Sequence, residues 1–277
     1  MWPPPKPKPK RIIAIASSNF SNLKEPARTL HIALLARAAT IFRVEQIIIY
    51  KESNKPCTPI KTVLEALEAP QYLRKYLVPK SRHLRYIGAA PPLRSPSHLL
   101  RNEQSPYREG YILRRTGDKA IVDIGLNKPV QAKVPPGLGP RVTLTQIQGH
   151  WQYIDREQIP VYWGYTVTCQ QSLKQTLQNH TTPKTLVIAT SRKGTPINTL
   201  ATQLKTKIAT AETLLVLFGT HNKGIQEIAT QENINPQHYI HYTINTAPLQ
   251  GTKTIRTEEA VLTTMAILNL LDQQTTT

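Results

Sequence analysis

The chain has 277 residues, of which 35 are Lys or Arg and 17 are Asp or Glu, a formal charge of +18 with histidine neutral. An apolar share of 39% beside 19% charged residues supports a buried core and excludes wholesale disorder and fibrous classes. No apolar run approaches the ~18 residues of a membrane span, and the charge excess asks for a polyanion, nucleic acid or an anionic membrane surface being the ordinary candidates.

Residues 1–10 hold three successive prolines, Pro3 to Pro5, and then alternate Lys and Pro to Lys10, which forbids helix and ladder alike and predicts an extended basic tail with no more than loose polyanion affinity. Ile12–Ala16 follows as a buried strand, too short an apolar core for a signal peptide despite its basic flank. A helix over Thr29–Phe42 and a second buried strand over Gln46–Tyr50 complete a βαβ unit, hence a parallel sheet. Pro59–Leu67 and Gln71–Leu77 read as two short helices split at Pro70. Cys57 and Cys169 lie 112 positions apart without C-x-x-C or H-E-x-x-H spacing, which predicts neither zinc nor a disulfide framework.

From Tyr72 to Arg115 ten basic residues face two acids, Glu103 and Glu109, among five prolines. Arg74, Lys75, Arg82, Arg85, Arg94, Arg108, Arg114 and Arg115 are the candidates for RNA contact. Tyr72, Tyr76, Tyr86, Tyr107 and Tyr111 are interleaved with them, a mixture that suits stacking on unpaired bases or a solvated basic linker. Short strands then recur at Gly110–Arg115, Ala120–Gly125, Val130–Val134 and Arg141–Thr145, separated by Gly- and Pro-rich turns, as in a small barrel or sandwich. After Tyr165 the βα rhythm resumes: helices over Ser172–Gln178, Thr199–Ile208, Ile225–Gln231 and Thr257–Leu271, and strands over Leu186–Ala189, Leu214–Phe218 and Tyr242–Ile244. One α/β domain, residues 11–84 with 166–277, is thus interrupted by an all-β insertion at 85–165.

Three polar, glycine-bearing loops, 188–194, 219–224 and 245–259, leave the carboxyl ends of predicted strands, where open α/β sheets hold ligands. The second has no G-K-[ST] and is no P-loop. On the first long helix, Leu30, Leu34 and Ile41 form one stripe with Arg37 in its middle, so that a guanidinium on a buried face needs an anion or carbonyls; structural and site roles both remain open. Arg43 points the other way. Glu258 and Glu259 open a helix, where negative charge suits the macrodipole, and His221 and His241 read as loop and surface residues.

Taken in order, these segments resemble the SPOUT superfamily of S-adenosylmethionine-dependent RNA methyltransferases. His31 to Val44 is similar to its first motif, with Arg37 at the arginine; Leu215 to Ile225 is similar to the second, and Ala247 to Glu259 to the third. Ala36–Val44, Pro70–Leu77, Pro91–Arg94, Tyr107–Gly110, Ala189–Gly194, Ile244–Thr246 and Arg256–Ala260 resemble the archaeal and eukaryotic branch that carries an OB-like insertion. The resemblance implies a trefoil-knotted parallel sheet with helices on both faces, an OB-like RNA-binding insertion and a homodimer. It implies S-adenosylmethionine as cofactor, held by Thr190 and Gly194, by Phe218, Gly219 and Gly224, and by Ile244, Asn245, Thr246, Gln250, Gly251 and Thr257. It places Arg37 and Arg256 at the catalytic centre, needs no metal and no membrane, and fits a cytoplasmic protein acting on ribosomal RNA. The ribose-methylating branch carries Asn, Glu and Ser-Leu-Asn where this chain has His31, His221 and Thr254-Ile255-Arg256. Eukaryotic relatives are associated with uridine N3, so the resemblance points to a base. A ribosome-assembly factor that keeps the fold without turnover, and ribose 2′-O-methylation, are the alternatives.

Overall fold

The computed structural model describes residues 2–272. In chain order its first elements are β1 (Lys10–Ala16), α1 (Ala27–Ile41), β2 (Gln46–Tyr50), α2 (Thr58–Glu68) and the short α3 (Arg74–Leu77). The insertion holds β3 (Tyr107–Thr116), β4 (Lys119–Asp123), β5 (Val130–Lys133), β6 (Arg141–Ile147) and β7 (His150–Tyr153). Then come β8 (Thr166–Gln170), α4 (Leu173–His180), β9 (Thr185–Pro196), α5 (Ile197–Thr210), β10 (Thr213–Leu217), α6 (Ile225–Gln231), β11 (Tyr242–Asn245) and α7 (Thr257–Leu271).

Six strands form one parallel sheet in the order β11-β9-β10-β1-β2-β8. Its central strands are apolar at successive positions because helices bury both faces. Ile13, Ile15, Ile47 and Ile49 pack under α1, α2, α5 and α7, while Ile12, Ala14, Ile48 and Tyr50 pack under α4 and α6. The five insertion strands close a barrel in the order β3-β4-β5-β7-β6 around Ala120, Val122, Ile124, Val134, Val142 and Leu144.

Several expectations need correction. Residues 3–10 are not a loose tail: Pro5 bridges Val161, Lys6 N donates to Pro160 O, Tyr162 N donates to Pro4 O, and Lys6 Nζ reaches Glu157 O at 2.8 Å. Proline's missing donors leave carbonyls free to accept, and the 160–162 segment supplies the partner. Cys57 and Cys169, expected to be unpaired, form a disulfide with a Cα–Cα distance of 6.2 Å. Sequence distance is uninformative there because the intervening insertion returns the chain to β8, beside β2 and α2. The edge strand β8 escapes periodicity because its Thr-Val-Thr-Cys-Gln run is mostly polar. The buried face of α1 is Ile32, Ala33, Leu35, Ala36, Ala38 and Ala39, small residues that allow close packing; Leu34 and Ile41 of the supposed core stripe are about half exposed.

Candidate active site

A cleft of about 320 Å³ opens where β9, β10 and β11 end, within the ~300–1,000 Å³ range of small-molecule sites. Its first wall comes from an interruption of register. β11 pairs Thr243 with Ala189 but Ile244 with Thr195, so residues 190–194 stand out of the ladder. Thr190 Oγ1 donates to Leu217 O at 3.1 Å, and Asn245 Nδ2 to Arg192 O at 2.9 Å, which ties this protrusion to both neighbouring strands. Gly194 closes it: a Cβ there would lie 2.6 Å from the Ile244 carbonyl carbon.

The second wall, 218–224, is a turn in which Thr220 N donates to Lys223 O at 2.9 Å. Buried Tyr50 donates its hydroxyl to Phe218 O at 2.7 Å, and Asn19 Nδ2 reaches Gly219 O at 3.3 Å. Lys223 Nζ pairs with Glu52 at 3.1 Å. Burial would raise the Glu52 carboxyl, but hydrogen bonds from Ser18, Ser53 and Lys223 outweigh it and hold the group below the usual carboxylate range. The third wall runs from Ile244 to Thr257 and onto α7, where Thr246 and Thr264 share a hydrogen bond of 2.9 Å.

Of the residues expected to hold cofactor, Thr190, Phe218, Gly219, Gly224, Ile244, Asn245, Thr246, Gln250 and Thr257 line this cleft, whereas Gly194 and Gly251 do not. His221, read as a mere loop residue, lines it as well, as do Arg192, Lys193 and Lys253. The cleft joins apolar Phe218, Ile244, Ile255 and Ala260 to amide and hydroxyl groups, a donor set that fits a nucleoside carrying an amino-acid tail. Arg256 stands between cleft-lining Ile255 and Thr257, and its Nη1 lies 2.9 Å from His31 Nε2. His31 Nδ1 in turn contacts the buried Glu258. Arg37 is elsewhere: its Nη1 donates to Pro92 O and Leu93 O at 2.9 and 3.0 Å, so the carbonyls that its position demands belong to the connector.

The basic run divides by burial. Arg82, Arg85, Arg94 and Arg114 are exposed, Arg85 over the Tyr86 ring and Arg94 paired with Glu103. Lys75 is exposed and bridges Asp123 at 3.0 Å; Arg74 is half-buried. Arg108, expected to contact RNA, is instead buried and donates to Ile124 O, Leu100 O and Glu103 O, which welds connector to barrel. Arg115 likewise spends its guanidinium on Val134 O and Pro135 O. The tyrosines serve packing. Tyr76 stacks on Tyr111 with ring centroids 4.4 Å apart, Tyr72 covers Gly125, and Tyr107 meets Trp163 edge-on. Of the interleaved set, only Tyr86 is not engaged in such a junction contact.

No helix among the described residues is long and apolar enough to cross a membrane, and no cluster of three or more His, Cys, Asp or Glu among them could hold a metal ion. A 28S rRNA (uridine-N(3))-methyltransferase of Mus musculus is 30% identical over 92% of this chain and 75% of its own length. Its Homo sapiens counterpart is 29% identical over 92% of this chain and 77% of its own length. Among solved structures, the SpoU methyltransferase AviRb from Streptomyces viridochromogenes aligns with 98% of this chain and 61% of its own, at 11% identity and a TM-score of 0.37. Residues 10–268, which contain both halves of the sheet, the barrel and every wall of the cleft, match one family throughout, and the chain belongs to that family, described as "Putative RNA methyltransferase".

Proposed function

We propose that this protein methylates N3 of a uridine in ribosomal RNA, with S-adenosylmethionine as methyl donor. The observation that carries the reading is the 30% identity, spread over 92% of the chain, to a relative named for that reaction. The 320 Å³ cleft would hold the cofactor, its apolar lining of Phe218, Ile244 and Ile255 and its polar lining of Thr190, Asn245, Thr246, Gln250 and residues 219–224 suiting a nucleoside with an amino-acid tail. When bound, it supplies an electrophilic methyl on a sulfonium. The chain's own work is orientation and charge. N3 must lose its proton to solvent before it takes the methyl, and a cation beside the uridine oxygens favours the deprotonated imide, a role proposed for Arg256 and, from a neighbouring protomer, for Arg37.

In this reading the barrel is an OB-like RNA-binding module, supported by its five-strand closure with β5 and β7 parallel. Arg74, Lys75, Arg82, Arg85, Arg94 and Arg114 contact phosphates. The sheet is read as trefoil-knotted on the resemblance of its three cleft loops to the motifs of the knotted superfamily. The protein acts as a homodimer: exposed Leu34 and Ile41 on α1 and Leu262 and Leu270 on α7 lie on two helices that pack together, and such apolar surface asks for a partner. A ribosomal RNA substrate is what supports a cytoplasmic location in this reading.

Transfer of labelled methyl from the cofactor into large-subunit ribosomal RNA, followed by digestion to nucleosides, tests the reading. The label is expected in 3-methyluridine. Label in 2′-O-methylnucleosides overturns the choice of atom, and no label beside intact RNA binding favours the assembly-factor alternative.

A further inference from the structure

Glu258 is 4% exposed, and His31 is the side chain that meets its carboxylate. A buried carboxylate without a partner is costly, so this contact is constrained. His31 Nε2 lies 2.9 Å from Arg256 Nη1. Arginine can only donate, so Nε2 must accept, and the ring proton must sit on Nδ1, where it is given to Glu258. Donor and acceptor thus alternate in one direction, from the exposed guanidinium through a neutral imidazole to a buried anion. The neighbouring Glu259 does something else: its carboxylate accepts from Arg256 N at 2.8 Å and caps α7.

An exposed arginine ordinarily samples many rotamers and loses that freedom when it is held. Here its guanidinium is held at the point where the third cleft wall enters α7, and among the described residues Nε and Nη2 have no partner. From these contacts we infer that His31 and Glu258 are positioning residues, which hold the Arg256 guanidinium with its remaining donors presented to an anionic oxygen of the RNA substrate. The fork of donors suits a planar O–C–N anion or a phosphate, and a guanidinium already in place loses little freedom when it binds one. The inference deepens the methyltransferase reading and rests on it.

The test is a double-mutant cycle on the full chain with large-subunit ribosomal RNA: His31→Ala, Arg256→Ala and the pair. Each single change is expected to lower kcat at least tenfold while cofactor affinity, by calorimetry, stays within twofold. Because His31 acts through Arg256, the double variant should be no worse than Arg256→Ala alone. His31→Gln, whose amide keeps one donor and one acceptor, should recover most of the loss and guards against an unfolded alanine variant. Multiplicative losses, or normal turnover in His31→Ala beside a crippled Arg256→Ala, overturn the assignment. If the unaltered protein transfers no methyl, the methyltransferase reading fails on its own, and the same cycle read as RNA affinity decides the positioning: coupled losses support it, and independent losses or none overturn it.

Discussion

At Gly194 an added Cβ would stand 2.6 Å from the Ile244 carbonyl carbon and 2.8 Å from Thr243 O, both rigid backbone of a paired strand. Gly194→Ala should therefore force β9 and β11 apart and cost about 1–3 kcal/mol, read as a lower urea midpoint, with weaker cofactor binding as the 190–194 wall shifts. Gly251 has nothing within 4 Å of the same atom, and Gly251→Ala should stay within about 0.5 kcal/mol of the unaltered protein. Equal effects would mean that the strand contact is not what requires glycine. Loop position alone suggests the same role for both residues, backbone approach to a ligand; only the register of β11 on β9 separates them. The same holds for the charges. Arg108 and Arg94 are alike in sequence, yet one is buried among carbonyls and the other is exposed. His31 and Glu258, 227 positions apart, touch only because α1 and α7 pack side by side, and no local pattern joins them.

The apolar strands β1, β2, β9 and β10 are plain in the sequence, because burial on both sheet faces leaves unbroken apolar runs. What periodicity missed are the elements with little large apolar surface to bury. β7 and β8 have few apolar residues, and α1 buries alanines, so its larger residues misled the choice of face. The disulfide fastens the edge strand β8 to the start of α2. Bridging so long a stretch of chain restricts the unfolded state, and typical bridges contribute about 2–4 kcal/mol. Reduction, or Cys57→Ser with Cys169→Ser, should lower the urea midpoint accordingly and raise amide exchange first in β8. A midpoint indifferent to reductant would show that the two thiols are not bridged in solution.

Across the whole molecule, one buried charge network fixes the barrel to the α/β domain. Glu68 at the end of α2 accepts from Arg141 at 2.7 and 3.1 Å and from Arg156 at 2.8 Å. Arg141 also reaches Glu109 at 2.7 Å, and Glu109 accepts from Trp163 Nε1 and Thr143. In the proposed reading, in which the barrel grips RNA, the network would also hold that RNA in a set relation to the cleft. Burial would raise the Glu68 carboxyl, but the guanidinium groups of Arg141 and Arg156 outweigh it and hold it below the usual carboxylate range. A folded-state value below the unfolded one of ~4.3 gives stability that is complete above that value and is lost as pH falls through the depressed one. Glu68→Gln leaves two buried guanidinium groups short of a counter-charge, a loss of about 3–5 kcal/mol at neutral pH. The gap between the two proteins in urea denaturation should hold steady from neutrality down to pH ~5 and close progressively below ~4. Protease cleavage within 85–165 should rise in Glu68→Gln before the parallel sheet opens, because the barrel keeps its own core once undocked. A gap that persists unchanged in acid would mean that Glu68 contributes through packing and not through its charge.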